Sequence, residues 1–312
     1  MSIRIIQKTH GGPEVLQAVD VPRPSPAAGE LLVRAHAASL NPVDAKTRRG
    51  QAIGFVLPFS VGWDFAGEVE QIGADVQGFH VGDRVFGMPS FPEQAGYGEY
   101  VVGPAEHWAP SPTTLDDRSA AAVPLAALTA LKALREVADL QPGQKVLVHA
   151  AGGGVGHFAV QIAKILGAEV VATASEAKQA FVKGLGADEV IDYQARPFSE
   201  SLAGREIDVV LDLVGGTTGV ESVQVTREGG LIIGVPSGTG NGLEEAASAA
   251  GVRSAAVMVS PNGKALREIA GWIDAGQLVA TVSETYPLAD IAAAHTSLDT
   301  GRTQGKIVVT IP

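Results

Sequence analysis

The stretch that decides the fold of this chain is Lys145-Val-Leu-Val-His-Ala-Ala-Gly-Gly-Gly-Val-Gly156. An apolar run, a dense glycine turn and a helical pattern over His157–Leu166 follow one another without a gap. This order predicts a buried strand that enters a helix through a tight turn. Glycines at such a turn let the backbone approach a diphosphate, and the start of the helix favours negative charge. The alternative is a flexible turn that binds nothing.

The residues of this turn have separate expected roles. Gly153 would let the backbone approach a diphosphate, whereas Gly156 would let the helix pack closely against the strand. We expect the amides of Gly154 and Val155 to hold the phosphate charges. Ala151 replaces the first glycine of the usual pattern, so the turn must accommodate a Cβ atom there.

An alternation of strand and helix patterns continues after the turn. Several of the strands are apolar almost throughout, as strands buried on both faces of a parallel sheet are. The alternation predicts an α/β domain with a doubly wound parallel sheet, a Rossmann fold. The strand candidates are Lys145–Ala150, Val170–Thr173, Glu189–Asp192, Val209–Asp212, Leu231–Gly234 and Ala255–Val259.

The first third of the chain has a different pattern. Short β-like runs separated by Gly- and Pro-rich turns predict a compact, mainly β unit. An Ala- and Leu-rich helical stretch from Ser119 to Ala138 follows, with Pro124 as a kink or a start. The β candidates are Ser2–Gln7, Glu30–Ala37, Gly67–Ile72, Arg84–Phe86 and Gly98–Val102.

The tail adds two helices and two strands, which we expect to pack against the first domain. The expected domains are therefore a mainly β domain, 1–120 completed by 262–312, and a nucleotide-binding domain, 121–261. The tail elements are Lys264–Ala275, Val279–Thr285, Leu288–Leu298 and Lys306–Ile311.

Composition excludes several classes of protein. Of 312 residues, 46% are hydrophobic and 18% charged, which argues against disorder. The net charge of -11 disfavours nucleic acid and anionic membranes as partners. The absence of cysteine excludes disulfides, thiol nucleophiles and thiolate metal sites. No signal core or membrane-length apolar run is present, so we expect a soluble protein, and the composition fits the cytoplasm.

The residues after the second strand of the sheet indicate which cofactor binds. A sheet that binds NAD usually places an Asp or Glu about 20 residues beyond the turn, where it holds the ribose 2′-hydroxyl. Here Ser175 and Lys178 occupy this region, and Tyr193 follows the third strand. A serine and a lysine suit a 2′-phosphate, provided that the carboxylate of Glu176 points away. We therefore expect NADPH; the alternative makes Ser175 a helix N-cap and Lys178 a surface lysine.

With these residues in view, the whole chain resembles the medium-chain dehydrogenase/reductase superfamily, in particular its zinc-independent quinone oxidoreductase branch. The order and spacing of the motifs carry the resemblance more than any single motif does. The motifs are Ser39–Asp44, Gly62–Gly67, Gly82–Gly87, Ala150–Gly156, Gly186–Tyr193 and Gly305–Val309.

The resemblance implies a GroES-like catalytic domain and assembly as a homodimer through the nucleotide domains. Zinc-using members carry a cysteine in the first domain and a Gly-His-Glu motif. This chain has no cysteine, and the matching motif reads Gly62-Trp63-Asp64. Tryptophan does not ligate zinc, so we expect no metal site.

The resemblance also places individual residues. Asn41 is expected near the nicotinamide and the acceptor oxygen, where its amide could donate to developing charge; the alternative is a structural Asn-Pro turn. Thr129 resembles a position that contacts the cofactor, although a plain helical threonine fits equally. Gly234 and Val235, with Pro236, are expected beside the nicotinamide.

Further residues have two possible roles each. The segment 257–260 resembles one whose backbone meets the carboxamide, which assigns Val257 and Val259 to the cofactor site. Lys306 could be a substrate-side cation or a surface residue. Asp44 and Lys46 could relay protons or form a solvated pair.

Three aromatic residues are expected to shape an apolar acceptor pocket, although aromatic side chains more often fill cores. They are Phe55, Trp63 and Tyr97. Without a metal, the acceptor easiest to reduce is a quinone or enone, because its conjugated system delocalises the incoming charge. The sequence thus predicts an NADPH-dependent reductase of a quinone or other conjugated carbonyl. Alternatives are a 2-alkenal or enone (enoyl) reductase and a non-catalytic NADPH-binding sensor or interaction protein.

Overall fold

The chain divides into two compact units, each described here by itself. One unit comprises Met1–Leu128 together with Ser260–Pro312, and the other comprises Thr129–Val259. The structure is a computed structural model that describes residues 1–51, 54–90, 96–235 and 242–312.

The unit Thr129–Val259 is built around a six-stranded sheet in which every pairing is parallel. Its strands, in chain order, are β8 (Lys145–Val148), β9 (Glu169–Ala174), β10 (Glu189–Asp192), β11 (Ile207–Asp212), β12 (Thr226–Gly234) and β13 (Arg253–Ala256). The spatial order is β10-β9-β8-β11-β12-β13. This order reverses beside β8, which is the doubly wound arrangement of a Rossmann fold. The expected fold class is confirmed.

Helices connect these strands, and their inward faces bury the sheet. Leu147, Val171 and Val210 lie in one core cluster with apolar residues of the connecting segments. The α-helices of this unit are α4 (Gly156–Ile165), α5 (Glu176–Gly184), α6 (Phe198–Ser201), α7 (Thr218–Ser222) and α8 (Leu243–Ala249), with a π-helical segment at Lys132–Val137 and a 3₁₀ turn at Val223–Val225.

The other unit is mainly β, as the Gly- and Pro-rich pattern predicts. Its strands are β1 (Ser2–Ile6), β2 (Gln17–Val21), β3 (Glu30–Ser39), β4 (Asp64–Ile72), β5 (Arg84–Gly87), β6 (Tyr100–Pro104), β7 (Trp108–Pro110), β14 (Val282–Pro287) and β15 (Lys306–Thr310). Strands β1 and β2 form an antiparallel ribbon. The other strands form a seven-stranded sheet in which β15, from the tail, pairs with β3.

Short helices complete this unit. They are α1 (Pro42–Arg48), α2 (Asp117–Ala121), α9 (Gly263–Asp274) and α10 (Ile291–Asp299), with 3₁₀ turns at Pro13–Val15, Ala105–His107 and Leu288–Asp290. A further helix, α3 (Pro124–Leu131), spans the boundary between the units and begins at its proline, as expected. None of the helices in the described ranges is long and apolar enough to cross a lipid bilayer.

Several strands differ from their predicted bounds, and in two of them exposed apolar residues explain the difference. The sixth strand of the parallel sheet is Arg253–Ala256 rather than Ala255–Val259, because the ladder ends before Met258, which is 81% exposed. The first strand of the tail starts at Val282 rather than at Val279, which is also exposed. Both predicted strands were therefore misplaced because they included apolar residues that face solvent.

Candidate functional site

The glycine turn is built on a left-handed alanine. The strand β8 ends at Val148, earlier than the expected Ala150, because Ala150 has a φ of 50° and reverses the chain. Its carbonyl accepts a hydrogen bond from Gly153 N at 2.9 Å. Ala151 is fully buried and donates its amide to Thr173 O at 3.1 Å, so the turn does accommodate a Cβ atom at this position.

The two key glycines differ in the space around them. A Cβ atom on Gly156 would lie 2.3 Å from Ala150 O and 2.7 Å from Ala151 Cα, so only glycine lets helix α4 start this close to the turn. Among the residues that the structure describes, a Cβ atom on Gly153 would meet one atom, Ala150 O, at 3.2 Å. Gly153 therefore lies beside space that the described part of the chain leaves open.

The turn also presents hydrogen-bond donors. The first amides of a helix have no partner within the helix. Among the residues that the structure describes, Gly154 N and Val155 N donate to no backbone carbonyl. Both residues are partly exposed at the start of α4. Open space at Gly153 and these amides fit a diphosphate group.

Ser175 and Lys178 lie at the start of helix α5, beside this turn. Ser175 occupies the N-cap position of α5, but its side chain makes no capping hydrogen bond. The side chain of Lys178 packs over the turn, since a Cβ atom on Gly152 would lie 2.9 Å from Lys178 Cδ. Partial burial lowers the pKa of Lys178. Glu176 is exposed.

The other residues expected at the cofactor site lie at the carboxyl ends of the strands. Tyr193 follows β10 and is 51% exposed. Val235 N donates to Asp212 O at 2.9 Å, which holds the end of β12 against the end of β11. Val257 N donates to Gly234 O at 3.3 Å.

The remaining residues predicted at the cofactor site differ in their exposure to solvent. Val257 is buried, Val259 is half-buried, and Thr129 in α3 is only 3% exposed. Pro236 lies outside the described residues. Val214, just beyond β11 at the same edge of the sheet, is an apolar side chain that is 58% exposed.

In the other unit, Asn41 lies at the centre of a buried polar cluster. Its Nδ2 donates to Asp64 Oδ2 at 2.7 Å, and its Oδ1 accepts from Lys306 Nζ. An ammonium only donates and a carboxylate only accepts, so these partners fix the orientation of the Asn41 amide. One Nδ2 hydrogen is used in this way, and the side chain is 2% exposed.

Lys306 and Asp64 are both satisfied inside the protein. Lys306 Nζ also donates to Leu40 O at 2.9 Å and to Asp64 Oδ2 at 3.3 Å. Asp64 accepts from Ser39 Oγ at 2.7 Å and from Leu125 N at 2.6 Å. Lys306 is thus neither a surface residue nor a cation open to a substrate. Its position at the start of a strand that is otherwise apolar was the available signal.

Asp44 is fully buried, which corrects the expectation of a solvated pair with Lys46. Its Oδ2 accepts from Asn41 N at 2.6 Å at the start of helix α1. Burial raises the pKa of Asp44 to about 7, against the lowering effect of that hydrogen bond. Burial also raises the pKa of Tyr97, and the nearby Asp44 carboxyl adds to this rise.

The three aromatic residues are divided between core and surface. Trp63 and Tyr97 are fully buried, whereas Phe55 is partly exposed. The rings of Phe55 and Trp63 meet edge to face at 5.9 Å. The Tyr97 ring packs against Gly62, where a Cβ atom would lie 2.6 Å from it. Phe55 is thus the member of this set with surface available to a ligand.

The zinc ligands of related dehydrogenases have no counterpart in this unit. Trp63 stands in the Gly62-Trp63-Asp64 motif, and the chain contains no cysteine. Within the described ranges, no three His, Cys, Asp or Glu side chains form a group that could hold a metal ion.

Two protein-family models match parts of this chain. An alcohol dehydrogenase GroES-like domain matches residues 27–113, and a zinc-binding dehydrogenase domain matches residues 185–309. A quinone oxidoreductase of Pseudomonas aeruginosa is 35% identical over 99% of each chain. A 2-methylene-furan-3-one reductase of Solanum lycopersicum is 35% identical over 90% of this chain and 71% of its own.

Solved structures of quinone oxidoreductases and related proteins are also similar to this chain. The quinone oxidoreductase of Coxiella burnetii superposes with a TM-score of 0.93 over 100% of each chain, at 36% identity. A mycobacterial protein solved in complex with NADPH has a TM-score of 0.86 and 32% identity, over 99% of this chain and 100% of its own. The fold and these relatives define an oxidoreductase with a Rossmann domain and a GroES-like domain. The chain belongs to the zinc-independent, quinone oxidoreductase-like branch of the medium-chain dehydrogenase/reductase superfamily.

Proposed function

We propose that this protein transfers a hydride from NADPH to a quinone or another conjugated carbonyl. The observation that carries the proposal is the glycine turn. Gly154 and Val155 present amides beside the open space at Gly153, at the start of α4. This combination of donors and space suits a dinucleotide diphosphate.

The preference for NADPH rests on the start of helix α5. Ser175, where an NAD enzyme usually has a carboxylate, leaves no negative charge to repel a 2′-phosphate. Its hydroxyl makes no capping bond to α5, and Lys178 supplies a cation half-buried beside the turn. The similarity to the mycobacterial protein solved with NADPH supports this choice.

The acceptor follows from the missing zinc ligands. A conjugated carbonyl delocalises the charge that arrives with a hydride, so it needs no Lewis acid from the protein. When bound, NADPH supplies the hydride. We propose that Asn41 donates its remaining Nδ2 hydrogen to the acceptor oxygen, with Lys306 and Asp64 holding the amide in the required orientation. The quinone oxidoreductases among the relatives support a quinone as the acceptor.

An enone is the second candidate acceptor. The observation that favours it is the relative from Solanum lycopersicum, whose name describes the reduction of a methylene-furanone. Both candidates use the same cofactor, and they differ in whether a quinone ring or a carbon–carbon double bond receives the hydride.

The deciding experiment follows NADPH oxidation at 340 nm with a panel of quinones, 2-alkenals and enones. Oxidation by quinones supports the first candidate, and reduction of alkenal double bonds supports the second. In the active assay, Asn41→Ala should lower kcat about 10- to 1,000-fold while leaving the Kd for NADPH within about twofold. NADPH binding without turnover across the panel would instead indicate a non-catalytic binding protein. Absence of binding would remove the basis of the proposal.

A further inference from the structure

His149 is a buried histidine that the proposed reaction does not use. It immediately follows strand β8 and is 1% exposed. Its Nδ1 lies 3.0 Å from Thr173 Oγ1, and its Nε2 lies 3.0 Å from Ser222 Oγ. The Phe198 ring packs edge to face against the imidazole at 4.5 Å. Both ring nitrogens therefore have partners, and the face of the ring is covered.

The hydrogen-bond donors and acceptors fix the tautomer of His149. The Ser222 hydroxyl donates its single hydrogen to Thr218 O at 2.7 Å. It must then accept from His149, so Nε2 carries the proton. Nδ1 is consequently an acceptor and receives the hydrogen of Thr173 Oγ1. Burial lowers the pKa of His149 to about 3, so the ring stays neutral and this arrangement holds near pH 7.

These contacts join three segments at the carboxyl edge of the sheet. The backbone of Thr173 accepts from Ala151 N in the glycine turn at 3.1 Å, and its side chain bonds His149. Thr173 also lies two residues before Ser175. Ser222 ends helix α7, which follows the loop beyond β11.

We infer that His149 is a positioning residue for the cofactor, which holds the glycine turn, the end of β9 and helix α7 in the mutual arrangement that a dinucleotide requires. This inference rests on the proposed binding of NADPH. A dinucleotide contacts several of these segments at once, so a small relative displacement weakens every contact that it makes. His149 is excluded from a direct role because its ring is buried and both nitrogens are already bonded.

The test compares the Kd for NADPH in wild-type protein, His149→Phe and His149→Gln, at a temperature well below each melting transition. Phenylalanine keeps an aromatic ring but leaves the hydroxyls of Thr173 and Ser222 without their partner. We expect it to weaken NADPH binding at least 10-fold. Glutamine can still donate to Ser222 Oγ, so it should bind NADPH at least threefold more tightly than phenylalanine does.

A matched control separates positioning from general loss of stability. Ile207→Ala removes a fully buried side chain at the amino end of β11, the opposite edge of the same sheet. It should lower the melting temperature but leave the Kd within twofold, since folded molecules retain their site. A Kd within twofold of wild type for His149→Phe would overturn the inference, as would equal weakening by Ile207→Ala.

Two further variants cover the case in which His149→Phe does not fold. Thr173→Val and Ser222→Ala each remove one partner of the ring, and each should weaken binding at least threefold. Unchanged affinity in both would reject the positioning role. Failure of the proposed function is a different result, because wild-type protein would then not bind NADPH.

Discussion

Lys306 Nζ lies 3.3 Å from Asp64 Oδ2, and both side chains are buried. Leu40 O and Asn41 Oδ1 accept from the ammonium, Ser39 Oγ donates to the carboxylate, and the Asp44 carboxyl interacts electrostatically with the ammonium. Because each charge depends on the other for compensation, removal of one leaves the second buried and unpaired.

Lys306→Met should therefore destabilise the protein by about 3–5 kcal/mol. Urea unfolding measures the loss. The control is Lys8→Met, at an exposed lysine, which should stay within about 0.5 kcal/mol of wild type. Adding Asp64→Asn to Lys306→Met removes the unpaired charge, so the double variant should lose less than the sum of the two single variants. A loss below about 1 kcal/mol for Lys306→Met would show that the pair is not a buried ion pair.

Asp44 should make stability depend on pH. Burial raises its folded pKa to about 7 from 3.8, so between these values the folded state binds more protons than the unfolded chain. The stabilising contribution is fully present below pH 3.8 and is lost as the pH rises through about 7. One pKa unit between the two states corresponds to about 1.4 kcal/mol.

The measurement compares wild-type protein with Asp44→Asn, which keeps an oxygen acceptor for Asn41 N but does not titrate. Ionisable groups that do not interact with Asp44 cancel in the difference between the two unfolding free energies. As the pH rises from 5 to 8, the unfolding free energy of the wild type should fall relative to that of Asp44→Asn. A constant difference would show that Asp44 is ionised throughout.

The Rossmann sheet could be predicted because the hydrophobic pattern of its strands is distinctive. Strands such as Val209–Asp212 are covered on both faces, which requires continuous apolar runs in the sequence. By contrast, Gln17–Val21 was missed, since it belongs to a two-stranded ribbon with mostly exposed side chains. Trp108–Pro110 is too short and too rich in proline to show a strand pattern.

The candidate site could be predicted only where local sequence determines it. The glycine turn and the residues that start α5 lie close together in sequence, so Gly156 and Ser175 could be identified from spacing. The cluster of Asn41, Asp64 and Lys306 unites residues far apart in the chain. Charged residues are usually exposed, so the residue type alone predicts a surface position for Lys306.

Replacement of Gly156 by alanine should weaken cofactor binding, whereas the same replacement of a glycine in another helix should not. In Gly156→Ala the new methyl would clash with the backbone atom Ala150 O. This atom cannot move away without opening the turn. We expect at least 10-fold weaker NADPH binding in a fluorescence titration. In Gly271→Ala, within α9, the new methyl would have no described atom outside its own helix within 4 Å, so the variant should stabilise the protein by about 0.5–1 kcal/mol without changing binding. Equal affinity of Gly156→Ala and wild type would mean that the turn does not hold the cofactor.

Ser175 and Lys178 should determine which nicotinamide cofactor is used. Asp at 175 would repel a 2′-phosphate and accept from a ribose 2′-hydroxyl, and loss of Lys178 removes the neighbouring cation. The double variant Ser175→Asp with Lys178→Ala should therefore shift the ratio of kcat/KM for NADPH over NADH at least 100-fold toward NADH. Steady-state rates with both cofactors measure the ratio. The matched control is Lys183→Ala, which removes an exposed lysine from the same helix and should leave the ratio within threefold. If the double variant keeps the wild-type ratio, the 2′-phosphate is recognised elsewhere, and the start of α5 has no part in the choice of cofactor.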